Sequence, residues 1–130
     1  MDVLYYSPGA ASMVVHWLLI ELGTPYELRL VDTSTGAQKS PEYLALNPNG
    51  VVPTLDHDGN IVIDSSVIIE YLDEVAPGPE TFTPDTPVAR AKMRALMRFI
   101  DEMPAAAVRV PTFNLAFLPS FQKMSRVAFV

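Results

Sequence analysis

Asn47-Pro48-Asn49-Gly50-Val51-Val52-Pro53-Thr54-Leu55 leads through Asp56-His57-Asp58-Gly59-Asn60 and Ile61-Val62-Ile63 into Asp64-Ser65-Ser66-Val67-Ile68-Ile69-Glu70-Tyr71-Leu72. Residues 47–50 carry turn chemistry. Two short apolar runs then bracket the polar 57–60 segment, which is the pattern of a β-hairpin. Asp64 follows the second strand as an N-cap. Beyond it, Val67, Ile68, Tyr71, Leu72 and Val75 repeat at helical spacing and are expected to face inward.

The chain before this stretch completes the pattern. Residues 3–6 are apolar and aromatic and stop at Ser7-Pro8-Gly9, as a buried strand does before a loop. Residues 10–22 hold no breaker and end at Gly23, which predicts a helix with glycine past its end. Its residues are apolar on almost every face, so it is expected to be buried. Residues 26–31 alternate as a second strand. Ser40 and Pro41 open a short helix over 41–46. The order βαβ, α, ββα is the thioredoxin arrangement, an α/β fold over residues 1–75. Prolines at 77, 79 and 84 mark 76–86 as a linker. Residues 87–130 read as an incomplete all-α segment. Ala91, Ala95, Leu96, Phe99 and Met103 form one stripe, Pro104 ends or kinks the helix, and Phe113, Leu115 and Phe117 lie between Pro111 and Pro119.

Composition removes several function classes. Nine basic residues stand against fifteen acidic ones, a net charge of -6, which disfavours nucleic acid as a partner. The chain has no cysteine, so disulfide frameworks, Cys-based zinc sites and dithiol redox chemistry are excluded. Two histidines are too few for a multi-histidine metal site. Asp56, His57 and Asp58 are explained by the turn, and His16 by an apolar helix; no metal is expected. The apolar run 13–20 is interrupted by His16 and is too short to span a bilayer, so no membrane is expected and the cytoplasm is the default location.

Three motifs occur in order: Tyr6-Ser7-Pro8-Gly9-Ala10-Ala11-Ser12, the Asn47-to-Leu55 turn and strand, and Asp64-Ser65 at a helix start. Together they resemble the glutathione S-transferase family, with the first motif similar to bacterial Ser/Cys-type members. Gln122-Lys123-Met124-Ser125 also resembles the β-aryl-ether-cleaving enzymes of that family. The resemblance assigns residues 1–75 to the N-terminal domain and 87 onward to the opening of the helical C-terminal domain, so that the chain is expected to be truncated.

The resemblance implies a cis Val52–Pro53 bond, with the Val52 backbone turned outward to pair with reduced glutathione as an added strand would. By residue chemistry alone, Pro53 removes one N–H and limits pairing to an edge. Ser65 and the first-turn N–H groups can hold a carboxylate, beyond the plain capping role of Asp64. The family places the γ-glutamyl carboxylate there, with Glu common at the position of Asp64. Lys39, otherwise a surface lysine, is implied for the glycyl carboxylate. Asn49 and Val51 depart from the Lys/Arg and Gln often seen in that turn.

Ser12, otherwise a helix cap, is implied as donor to the glutathione sulfur, and Tyr6, otherwise a core aromatic, as a second candidate. A donor and a helix N-terminus lower a thiol's pKa from about 8.5, and the thiolate then attacks a small apolar electrophile. Ala11 stands where one bacterial class has Cys, so a protein-bound mixed disulfide is excluded. A homodimer is implied where the helical domain is complete. The alternative is a truncated, catalytically inactive glutathione-binding or interaction module.

Overall fold

In the computed structural model, described here for residues 1–76 and 81–109, the sheet is built from β1 (Asp2–Tyr6), β2 (Tyr26–Leu30), β3 (Thr54–His57) and β4 (Asn60–Ile63). The order across it is β2-β1-β3-β4. β1 and β2 are parallel, whereas β3 is antiparallel to both β1 and β4. The helices are α1 (Ser12–Leu22), α2 (Pro41–Leu46), α3 (Ser65–Val75) and α4 (Pro87–Glu102), with a 3-10 turn at Ala37–Lys39. This is the expected thioredoxin-like order. Pro77, Pro79 and all the features noted from Pro111 onward lie outside the described residues.

Alternation along the strands sorts the two faces of the sheet. Leu4 and Leu55, directly paired across β1 and β3, pack with Val15 and Leu19 of α1 and with Ile68 and Leu72 of α3. The neighbouring pair, Tyr5 and Thr54, points to the other face, where Tyr43 of α2 meets both. Gly23 ends α1 in the left-handed conformation at φ 65°, as its place past the last apolar residue predicts. Ser40 caps α2 by accepting from Tyr43 N–H at 3.2 Å.

Three expectations need correction. α1 is not buried all round: Met13, Val14, Trp17 and Ile20 are exposed, Trp17 to 67%. One face of the helix suffices to cover the sheet, and nothing within the described residues removes the rest from water. On α3, Ile68 and Leu72 are buried, but Val67 and Val75 are exposed. Finally, Pro53 does not confine its strand to an edge. β3 is central, and it begins one residue after the proline, so the missing N–H costs no ladder bond.

The first compact unit runs from Met1 to Thr83, past the point where the sequence ends the domain. The buried Asp73 carboxylate explains the extension. It accepts from Thr81 Oγ1, from Phe82 N–H at 2.8 Å and from Thr83 N–H at 2.9 Å. In the second unit, Thr86 caps α4 and Arg90 donates to the carbonyls of Pro84 and Asp85. α4 stops at Glu102, and after a turn at Met103 helical backbone resumes over 104–109 with Pro104 at its first position. Leu96, Phe99 and Ile100 of α4 and its C-cap residue Met103 are exposed.

Burial pushes the Asp73 carboxyl upward, but its hydrogen bonds to Thr81, Thr83 and Phe82 outweigh burial and hold it below the usual carboxylate range. Its stabilisation is therefore present above the unfolded-state pKa of about 3.9 and lost as pH falls through the lower folded value. Asp73→Ala is expected to cost about 2 kcal/mol at neutral pH. In urea titrations, the gap between the two proteins should close below about pH 4; a gap that persists in acid would contradict this.

Candidate functional site

The register of the sheet gathers the candidates at one end. β1 and β2 leave it together, Tyr6 opposite Leu30. β3 enters at Thr54 opposite Tyr5, and β4 leaves at Ile63 opposite Thr54. The 7–12 loop, residues 31–33, Val52–Pro53 and Asp64–Ser65 therefore emerge side by side. Ser7 Oγ, 3.1 Å from Thr33 Oγ1, joins the first two. Ligands of open α/β sheets commonly bind at such strand ends, where loops and helix N-termini converge.

The Val52–Pro53 bond is cis. Val51 carbonyl faces inward and accepts from Tyr43 Oη and Asn47 Nδ2, both at 2.8 Å. Val52 N–H and C=O take no hydrogen-bond partner among the described residues. An extended ligand can pair with them as one strand pairs with another.

Two residues beyond the last β3–β4 pair lies Ser65. Asp64 before it has φ 75° and ψ 126°, a strained conformation for a side chain with a Cβ. That backbone turn aims the Asp64 carboxylate at Ser66 N–H and Val67 N–H, at 3.0 and 3.3 Å. Two of the first-turn amides expected for a ligand are thus already taken. The Ser65 hydroxyl and N–H have no partner among the described residues and remain for an anionic group.

Lys39 reaches the same region from the 3-10 turn, donating from Nζ to Asn49 carbonyl at 3.0 Å. Gly50 makes this approach possible. Its φ is 60°, and a Cβ there would lie 2.6 Å from Lys39 Nζ and 2.9 Å from Gln38 carbonyl.

Ser12 is fully buried, its hydroxyl donating to Ser7 carbonyl at 3.0 Å and accepting from Ser7 N–H at 3.1 Å. It is the first residue of α1, and Ala11 occupies the cap without a side-chain bond. Tyr6 packs against the core below. Val52, Pro53, Asp64, Ser65 and Lys39 are thus brought to one end of the sheet, and Ser12 lies beneath the adjoining loop.

Sequence reasoning missed the group that holds this end together. Asn47, Thr54 and Tyr43 are buried polar residues in one network. Asn47 Nδ2 donates to Val51 carbonyl and Thr54 Oγ1, Asn47 Oδ1 accepts from Asn49 N–H, and Tyr43 Oη is 2.8 Å from Thr54 Oγ1. Burial pushes the Tyr43 hydroxyl pKa up, against the pull of Thr54 and Asn47. Asn47 in a turn needs no further explanation at the level of sequence; the one signal is a tyrosine four residues before it, spaced to share its partners.

The sequence model described as the glutathione S-transferase N-terminal domain matches residues 10–75. Protein LigF of a Sphingobium species is 36% identical over 121 residues, covering 92% of this chain and 47% of LigF. The crystal structure of β-etherase LigF superposes with a TM-score of 0.83 at 36% identity, covering 98% of this chain and 54% of that one. A glutathione transferase homologue from Sulfitobacter, solved with bound glutathione, matches with a TM-score of 0.78 at 29% identity, over 100% of this chain and 57% of its own. The chain spans about half the length of the curated relatives it matches.

Asn47→Ala removes the Nδ2 bond from Val51 carbonyl and from Thr54 Oγ1, leaving each with Tyr43 Oη. It is expected to cost about 2 kcal/mol in urea unfolding, whereas Tyr43→Phe should cost about 1 kcal/mol. Equal stability of Asn47→Ala and the unsubstituted chain would remove the network from its organising role.

Proposed function

The chain belongs to the glutathione S-transferase family, and on that premise we propose that its first unit binds reduced glutathione at the end of the sheet where β1, β2 and β4 emerge. The peptide lies extended against Val52, exchanging hydrogen bonds with its N–H and C=O. The γ-glutamyl carboxylate takes the Ser65 hydroxyl and N–H, beside Asp64. The glycyl carboxylate is attracted by Lys39. The thiol then falls near the 7–12 loop. The observation that carries this reading is the backbone of Val52 and the hydroxyl and amide of Ser65, all without a partner among the described residues.

The bound thiol releases its proton to solvent. The sulfur lone pair forms a bond to carbon in a small apolar electrophile, and the leaving group departs with the electrons of the broken bond. Ether cleavage, named for the LigF structure, is one form this attack takes; the site described here is common to any of them. Cytoplasmic location and a homodimer built with a complete helical domain belong to the same reading. No helix among the described residues is long and apolar enough to cross a membrane.

A second reading, a module that binds glutathione without turnover, is favoured by the buried Ser12 hydroxyl, whose proton is already given to Ser7. Turnover of a chromogenic aryl halide separates the two.

Glutathione in hundredfold excess over its Kd should add about 2.7 kcal/mol to stability and raise the thermal midpoint. In Ser65→Ala the same concentration should raise it measurably less. No shift in the unsubstituted chain would refute the binding reading, and an undiminished shift in Ser65→Ala would move the carboxylate elsewhere.

A further inference from the structure

Ser12 is where the structure departs furthest from a sulfur-donating role. A serine hydroxyl has one proton to give. Here it goes to Ser7 carbonyl, while the same oxygen accepts from Ser7 N–H, and the residue is 0% exposed. Ser7 carbonyl accepts a second bond from Ala10 N–H at 3.3 Å. On its other side, Ser7 Oγ meets Thr33 Oγ1, from the segment that follows β2. The 7–12 loop is therefore closed on itself through Ser12 and tied to the segment after β2 through Ser7. α1 starts without a capping side chain, so this closure fixes where the chain turns into the helix.

Resting on the glutathione reading above, we infer that Ser12 is a positioning residue. It acts through Ser7, holding the loop that faces the thiol, and its hydroxyl is not the donor to sulfur. Thr33 supports the same loop from the opposite side.

The test compares the unsubstituted chain with Ser12→Ala, Ser12→Thr and Thr33→Val, each at a temperature where it is folded. Three quantities are read: hydrogen exchange of the Ser7 amide, the Kd for reduced glutathione, and the pH midpoint of bound-thiol ultraviolet absorbance. Ser12→Ala should expose the Ser7 amide to exchange and weaken glutathione about tenfold, leaving the thiol midpoint in place. Ser12→Thr, which keeps the hydroxyl, should restore Ser7 protection and most of the affinity. Thr33→Val leaves Ser12 untouched and should also weaken glutathione at an unchanged midpoint, which keeps the test open if Ser12→Ala does not fold.

A thiol midpoint that rises toward about 8.5 in Ser12→Ala, with Kd unchanged, would make Ser12 the donor and overturn the inference. A lower melting temperature with unchanged Kd and midpoint would overturn it too, leaving a purely structural serine. Failure of the unsubstituted chain to bind glutathione would instead defeat the binding reading and this role with it. Slow Ser7 exchange in that chain would still show the clamp itself, so the two failures are told apart.

Discussion

The buried side-chain amide of Asn47 is the constraint on which the rest depends. It bonds the Val51 carbonyl and the Thr54 hydroxyl at once, on either side of the cis Val52–Pro53 bond. Tyr43 reaches the same two groups from α2, its hydroxyl donating to Val51 carbonyl and accepting from Thr54 Oγ1. With the Val51 carbonyl turned inward, the Val52 backbone is left without a partner among the described residues, and the chain enters β3 only at Thr54. A buried polar network of this kind stabilises when every member is satisfied and is costly when one is lost. Its position explains why a central strand can begin behind a proline and still offer an open backbone edge to a ligand.

Local signals were enough for most of the framework. Gly23, Ser40-Pro41, the 57–60 turn and Asp64 each act through backbone chemistry within a few residues, and each stands where that chemistry places it. What the sequence hid was non-local. Asn47 and Tyr43 look like a turn residue and a surface-helix aromatic until Val51 and Thr54 are brought against them. Ser12 and Ser7 are five apart in a loop, and their mutual bonding depends on the chain folding back. The outer faces of α1 and α3 differ from expectation for another reason: apolar spacing says that a side chain can be buried, not that something is there to bury it.

The apolar surfaces left in water follow from the same logic. Met13, Val14, Trp17 and Ile20 form one patch on α1, and Leu96, Phe99, Ile100 and Met103 another on α4. Patches of this kind mark surfaces that associate with something else. The ligand end of the sheet needs neither patch for its geometry, because Asn47, Asp64 and Ser12 secure it from within the first unit.

The most direct measurement is amide chemical-shift mapping of the labelled chain titrated with reduced glutathione. The largest changes are expected at residues 7–12, 51–54 and 64–67 and at Lys39, with little at the opposite end, around Asp2, His57 and Val75. No saturable change at Val52 and Ser65, or changes centred on that opposite end, would contradict it.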